Sequence, residues 1–480
     1  CEAGTPAALR AEEMAAELKL LNEERKDMTQ AGMEQELEEK KMMLTVEGQQ
    51  IYVDCEGIHT EGLAEGPEKK YLKKELKKQI YRVMHELTKA ELPWGALTGI
   101  RPTKLIVTMI EAAPDVTDEE ITSFLKENYY VTDEKAALGI QIARREIKLL
   151  EKIDYEEGYS LYIGIPFCPT TCLYCSFTSY PIGAYTKKAD DYVTALLKEI
   201  SYASARFADR KLNSIYIGGG TPTTLEPEQL DRLLHAVRDS FDFSHNQEFT
   251  VEAGRPDSIT PEKLAVLLKH GVTRISINPQ TMNQKTLDLI GRYHTVEQVK
   301  ETFQLARKMG FDNINMDFIV GLPGETMEDI RFSMEEVQKL NPDSLTIHSL
   351  AIKRAARLNI MREQYKDFTI ENNEQIMELC AAAAENMGMT PYYMYRQKNI
   401  AGNMENVGYA RTGRAGIYNI LIMEEKQTIV ALGAGSVTKR IYPDGRIERC
   451  ANVKDVGQYI DRIDEMIERK ENLFADQHPG

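Results

Sequence analysis

From Ser160 onward the chain alternates between short apolar runs and stretches with hydrophobic residues at helical spacing, and this rhythm narrows the fold more than any other feature. Strands are predicted over 161–165, 214–217, 249–252, 274–278, 313–320 and 344–350. Helical patterns fall near 188–208, 227–240, 261–270, 296–309 and 326–340, and another near 370–387 follows the last strand. Strands separated by helices of that length run parallel, so the expected class is α/β, as an open sheet or a partial (β/α)6 barrel. In such folds the carboxyl ends of the strands carry the chemistry.

The first strand, Ser160-Leu-Tyr-Ile-Gly-Ile, opens into Cys168-Pro-Thr-Thr-Cys172-Leu-Tyr-Cys175. Three sulfurs in so short a loop can converge on one metal centre and leave one position of a cubane cluster open. A zinc site completed by a distant histidine is the alternative, although no second C-x2-C or H-x3–5-H tract follows at zinc-finger distance. A disulfide is not expected from an odd cluster in a chain without a secretory signal.

The second strand ends in Gly218-Gly-Gly-Thr-Pro222, which either lets backbone approach a ligand closely or serves as a tight turn. It is not the G-x-G-x-x-G of dinucleotide sites. Glu252 ends the third strand, Asn278-Pro-Gln280 the fourth, Asp317 and Gly321 the fifth, and His348 and Ala351 the sixth. Glu252 and Asp317 stand where strand residues are normally apolar, and a buried carboxylate needs a partner; Arg292 and Gln280 are candidates. His294 is either a structural histidine or a polar group of the site.

Residues 1–45 read as a helix with a charged face, 42–46 and 50–55 as short strands, and 69–89, 117–128 and 133–151 as helices. Between them Trp94, Arg101 and Lys104 lie in a turn-rich stretch expected to be an ordered loop facing something. Late in the chain Lys353, Arg354, Arg357, Arg396, Lys398, Arg411, Arg414, Lys439 and Arg440 are either solvated or face an anionic ligand at the open end. Tyr392-Tyr-Met-Tyr suits a flat apolar ligand or ordinary core. Cys380 is expected in a helix core, and Cys55 and Cys450 in strands. A net charge of −16 argues against bulk nucleic-acid binding, and no apolar run reaches the roughly 18 residues of a membrane span. A reducing, cytoplasmic setting is expected, with no membrane partner. The chain begins at Cys1 without an initiator Met, as a fragment or a trimmed product would.

The cysteine spacing resembles the signature of radical S-adenosylmethionine (SAM) enzymes. With Gly218-Gly-Gly-Thr-Pro-Thr, Phe249-Thr-Val-Glu-Ala, Arg274-Ile-Ser-Ile, Gly291-Arg-Tyr-His and Met316-Asp-Phe-Ile-Val-Gly-Leu-Pro-Gly-Glu-Thr, residues 160–350 resemble the oxygen-independent coproporphyrinogen III oxidases. Pro93-Trp-Gly-Ala-Leu-Thr-Gly-Ile-Arg-Pro and Tyr395-Arg-Gln-Lys-Asn are similar to flanks of the HemZ-type coproporphyrinogen dehydrogenases. The resemblance implies a radical SAM partial barrel over 153–390, a mixed helix/strand domain over 1–152, and a small α+β substrate-side region over 391–480. It implies a [4Fe–4S] cluster on Cys168, Cys172 and Cys175. It also implies SAM contacts at Tyr162, Tyr174, Gly219, Gly220, Thr221, Glu252, Gln280, Arg292, Asp317 and Ala351, with Glu252 and Arg292 at the methionine end and Asp317 at the ribose. The implied reaction is oxidative decarboxylation of coproporphyrinogen III to protoporphyrinogen IX in haem biosynthesis, driven by a 5′-deoxyadenosyl radical and a reductant protein such as flavodoxin or ferredoxin. One position departs: decarboxylating members carry a fourth cysteine where this chain has Phe177, and relatives with Phe there include haem-trafficking chaperones.

Overall fold

A computed structural model describes residues 42–353, 356–361 and 368–475, so Arg354 and all but the last residues of the helix expected over 1–45 lie outside the described residues, and 42–45 are strand. The chain divides into two compact units, one of residues 1–144 with 372–374 and 394–405, the other of 145–371 with 375–393 and 406–480. No described helix is long and apolar enough to cross a membrane.

In the first unit, β1 (Met42–Glu47), β2 (Gln50–Cys55) and β3 (Ile58–Leu63) form an antiparallel meander. Alternation in β2 buries Ile51, Val53 and Cys55 against Leu76 and Val83 of helix Lys69–Thr88. The third strand, Ile58-His-Thr-Glu-Gly-Leu, has too few apolar residues to be predicted. The Trp94 stretch turns inward over residues 93–96, while 98–100 and Lys104 are exposed. The Trp94 indole is buried and donates to Glu405 Oε2 at 2.8 Å, while Glu405 Oε1 accepts from buried Lys135 at 2.8 Å. Arg396, expected at a ligand, is buried and donates to the Leu97 carbonyl at 2.9 Å and to the Asn403 carbonyl at 3.2 Å.

The second unit holds most of an eleven-stranded sheet. All six predicted strands are present as β4 (Gly158–Ile165), β7 (Lys211–Gly219), β8 (Glu248–Gly254), β9 (Arg274–Ile277), β10 (Ile314–Val320) and β11 (Ser344–Ser349). They lie side by side in that order, all parallel. Burial on both faces accounts for their near-continuous apolar runs. The run extends one strand further than expected, because β14 (Thr428–Leu432) pairs parallel with the outer edge of β4. Beyond β14 come β15 (Val437–Ile441) and β16 (Ile447–Ala451), both antiparallel. At the far side β13 (Asn406–Ala410) pairs antiparallel with β11 and is followed by β12 (Thr390–Tyr395). The helices begin where the sequence supplies caps, as at Thr260-Pro261 and in the Thr295/Gln298 capping box.

Three of the late basic residues sit at the wrong end of this sheet to meet a ligand beside the cysteines. Arg411 pairs with Asp343 (3.6 Å), Arg414 with Asp312 (3.0 Å) and Lys439 with Glu425 (3.0 Å). These acids precede β11, β10 and β14, at the amino ends of the parallel strands. Arg440 donates to the Leu473 carbonyl at 2.7 Å, and Tyr392, Tyr393 and Met394 are core. Cys55, Cys380 and Cys450 are buried in the elements expected.

Helices Val456–Asp461 and Ile463–Phe474 are tied to helix Thr186–Arg206 by one buried charge cluster. Glu199 accepts from Lys470 Nζ (2.6 Å), Asn452 (2.8 Å), the Tyr459 hydroxyl (2.6 Å) and the Gly433 N–H (2.8 Å). Lys470→Met strands that carboxylate without its cation and is expected to cost about 3–5 kcal/mol, read as a lower urea midpoint. Adding Glu199→Gln to Lys470→Met removes the uncompensated charge and recovers part of the loss.

Candidate active site

The ladder of β4 stops at Pro166, which has no N–H to donate. The chain re-forms a short pair just beyond it, β5 (Phe167–Cys168) with β6 (Tyr180–Pro181), which pinches the cysteine loop at its base. Tyr180 N–H bonds the Pro166 carbonyl at 2.8 Å. The loop is also held from outside: Leu173 N–H donates to the Ile290 carbonyl, and its own carbonyl accepts from Leu358 N–H, both at 2.9 Å. Thr170 Oγ1 donates to the Gly291 carbonyl at 3.1 Å.

Cys168, Cys172 and Cys175 are thus presented together as free thiols, buried or half-buried. Each sulfur faces a hydrogen-bond donor. Thr221 Oγ1 lies 3.5 Å from Cys168 Sγ, and Arg292 Nη1 lies 3.8 Å from Cys172 Sγ. Cys175 receives the Phe177 N–H and the Ser179 hydroxyl. Burial pushes the Cys168 thiol up to about 11 against the pull of Thr221, so a metal bound there displaces a proton. Among the described residues no three His, Cys, Asp or Glu side chains converge as for a single ion. A cubane, in which each thiolate holds a different iron, asks for soft donors with hydrogen bonds onto sulfur, and the donor set of this loop fits that demand.

The glycine turn after β7 is pressed against this loop. In register, Gly164 lies opposite Gly218 and Ile165 opposite Gly219. A Cβ on Gly220 would stand 2.5 Å from the Phe167 carbonyl oxygen and 2.8 Å from that of Ile165, so only glycine fits. Gly219 has φ +102° and would crowd the Tyr162 hydroxyl at 2.9 Å. Thr221 N–H closes the contact on the Phe167 carbonyl at 2.6 Å.

Below the turn, Tyr162, Tyr216 and Tyr418 stack, with Tyr216 and Tyr418 centroids 4.7 Å apart. The Tyr216 hydroxyl donates to Glu252 Oε1. Burial raises the Glu252 carboxyl to about 7; Tyr216 and the Gly219 N–H pull it down, and nearby Asp317 adds to the rise. Asp317 goes the other way. Burial would raise it, but His348 (3.8 Å), Asn315 (2.7 Å) and Thr346 outweigh that and hold it below the usual range. Its side chain and that of His348 are 21 % and 26 % exposed, so this corner stays open to solvent. The pairing expected from sequence, Glu252 and Asp317 with Arg292 and Gln280, is replaced by these partners. Gln280, at φ +71°, bonds Asp317 only through backbone, its N–H to the Asp317 carbonyl at 3.0 Å. Arg292 instead donates to the Asn278 carbonyl at 2.5 Å and the Tyr174 hydroxyl at 3.5 Å.

Ala351 follows β11 at its carboxyl end. Lys353 lies 5.7 Å over the ring of Phe177, which is 71 % exposed, and Arg357 donates to the Thr171 carbonyl at 3.4 Å. His294 is fully buried, and both its ring nitrogens lack a partner. Sequence reading missed Tyr216 and Tyr418. Tyr216 was accessible through its alternation with Gly218, whereas Tyr418 arrives on helix Ile417–Glu424 with no local sign.

The profile of the radical SAM superfamily matches residues 162–337. Over 444 residues the chain is 41 % identical to oxygen-independent coproporphyrinogen-III oxidase-like protein HemZ of Bacillus subtilis (strain 168), covering 90 % of this chain and 88 % of that one. It is 33 % identical over 312 residues to heme chaperone HemW of the same organism, covering 64 % and 76 %. The solved structure of coproporphyrinogen III oxidase (HemN) from Escherichia coli, a radical SAM enzyme, superposes with a TM-score of 0.52 at 24 % identity, covering 66 % and 72 %, and shares the fold.

The raised Glu252 carboxyl has a signed consequence. Between its unfolded value of 4.5 and about 7 the folded protein holds a proton that the unfolded chain has released. Stability is therefore lost as pH rises through that window. Relative to Glu252→Gln, the ligand-free protein is expected to lose on the order of 3 kcal/mol between pH 4.5 and 7, measured by urea unfolding of both proteins across that range.

Proposed function

The chain belongs to the radical SAM superfamily, in the HemZ-type branch of the oxygen-independent coproporphyrinogen III oxidase-like proteins, and on that premise we propose that it decarboxylates coproporphyrinogen III to protoporphyrinogen IX. Its cofactors are a [4Fe–4S] cluster and SAM. The observation that carries the reading is the reach of the likeness, which at 41 % identity extends beyond the barrel through 90 % of the chain. Two propionates of the substrate would each give up a hydrogen atom to the SAM-derived radical, then lose CO2 and pass one electron to an external one-electron acceptor, leaving vinyl groups.

When bound, the cluster and SAM supply the carbon radical that takes hydrogen from the substrate. The protein's part is seating and shielding. Cys168, Cys172 and Cys175 would hold the cluster. Tyr162, Tyr174, Gly219, Gly220, Thr221, Glu252, Gln280, Arg292, Asp317 and Ala351 would surround SAM. Glu252, poised near 7, ionises readily when a cationic amine arrives beside it. Asp317, already ionised, suits a pair of hydroxyls as a hydrogen-bond acceptor. The stacked tyrosines close the floor and keep water from the reacting centre. Of the late cations, Lys353 and Arg357 stand beside the cysteine loop, where they would meet substrate carboxylates. A reductant protein such as flavodoxin or ferredoxin would supply the electron.

Phe177, in place of a fourth cysteine, favours a second reading: a haem-binding chaperone that keeps the cluster and does not decarboxylate, as the likeness to heme chaperone HemW also suggests. Anaerobic, reconstituted protein with SAM, dithionite and coproporphyrinogen III separates the two. The expected outcome is CO2, 5′-deoxyadenosine and the divinyl product by mass spectrometry, lost by at least a hundredfold in Cys175→Ser. No turnover, with one haem bound per chain and passed to an acceptor, would select the chaperone.

A further inference from the structure

The three sulfurs have unequal neighbours. Cys168 faces a neutral hydroxyl, Thr221, and Cys175 faces a backbone N–H and the Ser179 hydroxyl. Only Cys172 is in hydrogen-bond contact with a charged group, the Arg292 guanidinium at 3.8 Å; Arg255 acts on Cys168 and Arg292 on Cys175 from further off. Arg292 is 4 % exposed, and its other acceptors, the Asn278 carbonyl and the Tyr174 hydroxyl, are neutral. Its Nε–H has no partner.

A buried cation needs a counter-charge. Among the described residues no carboxylate oxygen makes an ion pair with Arg292. The nearby acid, Asp257, is held by Arg255 through two bonds of 2.9 and 2.6 Å, and Arg255 also donates to Thr170 Oγ1 at 2.6 Å. His294 is buried and neutral beside them, its pKa pushed down to about 3 by burial and then by Arg292. The floor beneath the cysteine loop therefore holds two guanidiniums and one carboxylate. The unmatched positive charge is the one against Cys172.

We propose that Arg292 is a positioning residue for the cluster, its guanidinium being the counter-charge of the Cys172 corner and a determinant of the reduction potential. The inference rests on the three cysteines holding the cluster. Three thiolates give an oxidised [4Fe–4S] group a net negative charge, and reduction adds another. A fixed cation stabilises the reduced form more than the oxidised one and so raises the potential. Burial strengthens the effect, because water cannot screen it. Contact of Arg292 with a carboxylate of SAM is compatible with this role but is not its basis.

The test is a redox titration of the reconstituted, SAM-free protein, followed by visible and electron paramagnetic resonance spectra. Iron and sulfide content and SAM affinity are measured alongside. In Arg292→Gln the midpoint is expected to fall enough that the ratio of reduced to oxidised cluster drops at least tenfold at a fixed potential, which is 59 mV for one electron. Arg292→Lys, which keeps the charge, restores most of it. Thr221→Val, which removes only a neutral donor from Cys168, shifts it less. A folded Arg292→Gln protein that loses iron while Arg292→Lys keeps it also supports the assignment. An unchanged midpoint in Arg292→Gln, with loss confined to SAM affinity, overturns it in favour of a SAM contact alone. Wild-type protein that takes up no iron would sink the cofactor reading itself.

Discussion

The parallel pairing of β4 with β7 is the interaction on which the site depends. It is in register to its last residues, with Ile165 opposite Gly219, so the cysteine loop and the glycine turn leave the sheet side by side. The Thr221 N–H on the Phe167 carbonyl and the Thr221 hydroxyl on Cys168 then fasten the two segments together. Because both strands are buried, a slip of one residue would turn Tyr162 and Tyr216 outward and bring apolar residues into their place, which burial forbids. The register of a hydrophobic ladder thus fixes the distance between three sulfurs and the backbone that faces them.

The interior bounded by these strands is polar, and it is arranged so that few of its charges stand unmatched. At the floor, Ser160, Ser214 and Gln427 bond in a chain, and Glu248 accepts from Thr250 and the Tyr418 N–H. Higher up, Glu252 and Asp317 lie near enough for their charges to interact but have opposite tendencies, one towards the neutral form and one towards the charged form. Two carboxylates with separated proton affinities can serve two parts of one ligand. The same economy makes a lone guanidinium beneath the cysteine loop informative.

Much of this could be read from the chain itself, for local reasons. The six strands were legible because each is a continuous apolar run, and the cysteines because three thiols within one short loop suit a shared metal centre. Glu252 and Asp317 stood out as acids in apolar strands. Their partners did not, because the Tyr216–Glu252 bond depends on the register of β7 against β8, a non-local property. The late arginines misled for a related reason. Enrichment along a sequence does not say at which end of a strand a side chain lies, and Arg411 and Arg414 lie at the amino ends. β14 has an ordinary apolar run, Thr428-Ile-Val-Ala-Leu, but nothing local marks β4 as its partner.

That last pairing bears on how the chain is made. Gln427, just before β14, bonds Ser160 at the start of the core, 267 residues away in sequence. During synthesis the outer edge of β4 stays unpaired until β14 leaves the ribosome, roughly 15–50 s later at about 5–20 residues per second. An open edge on a buried apolar strand of a parallel sheet is a template for wrong partners. The core therefore cannot finish folding as it emerges. Its first strand has to be kept from other chains until its last parallel neighbour arrives, and truncation before Thr428 would leave that edge permanently exposed.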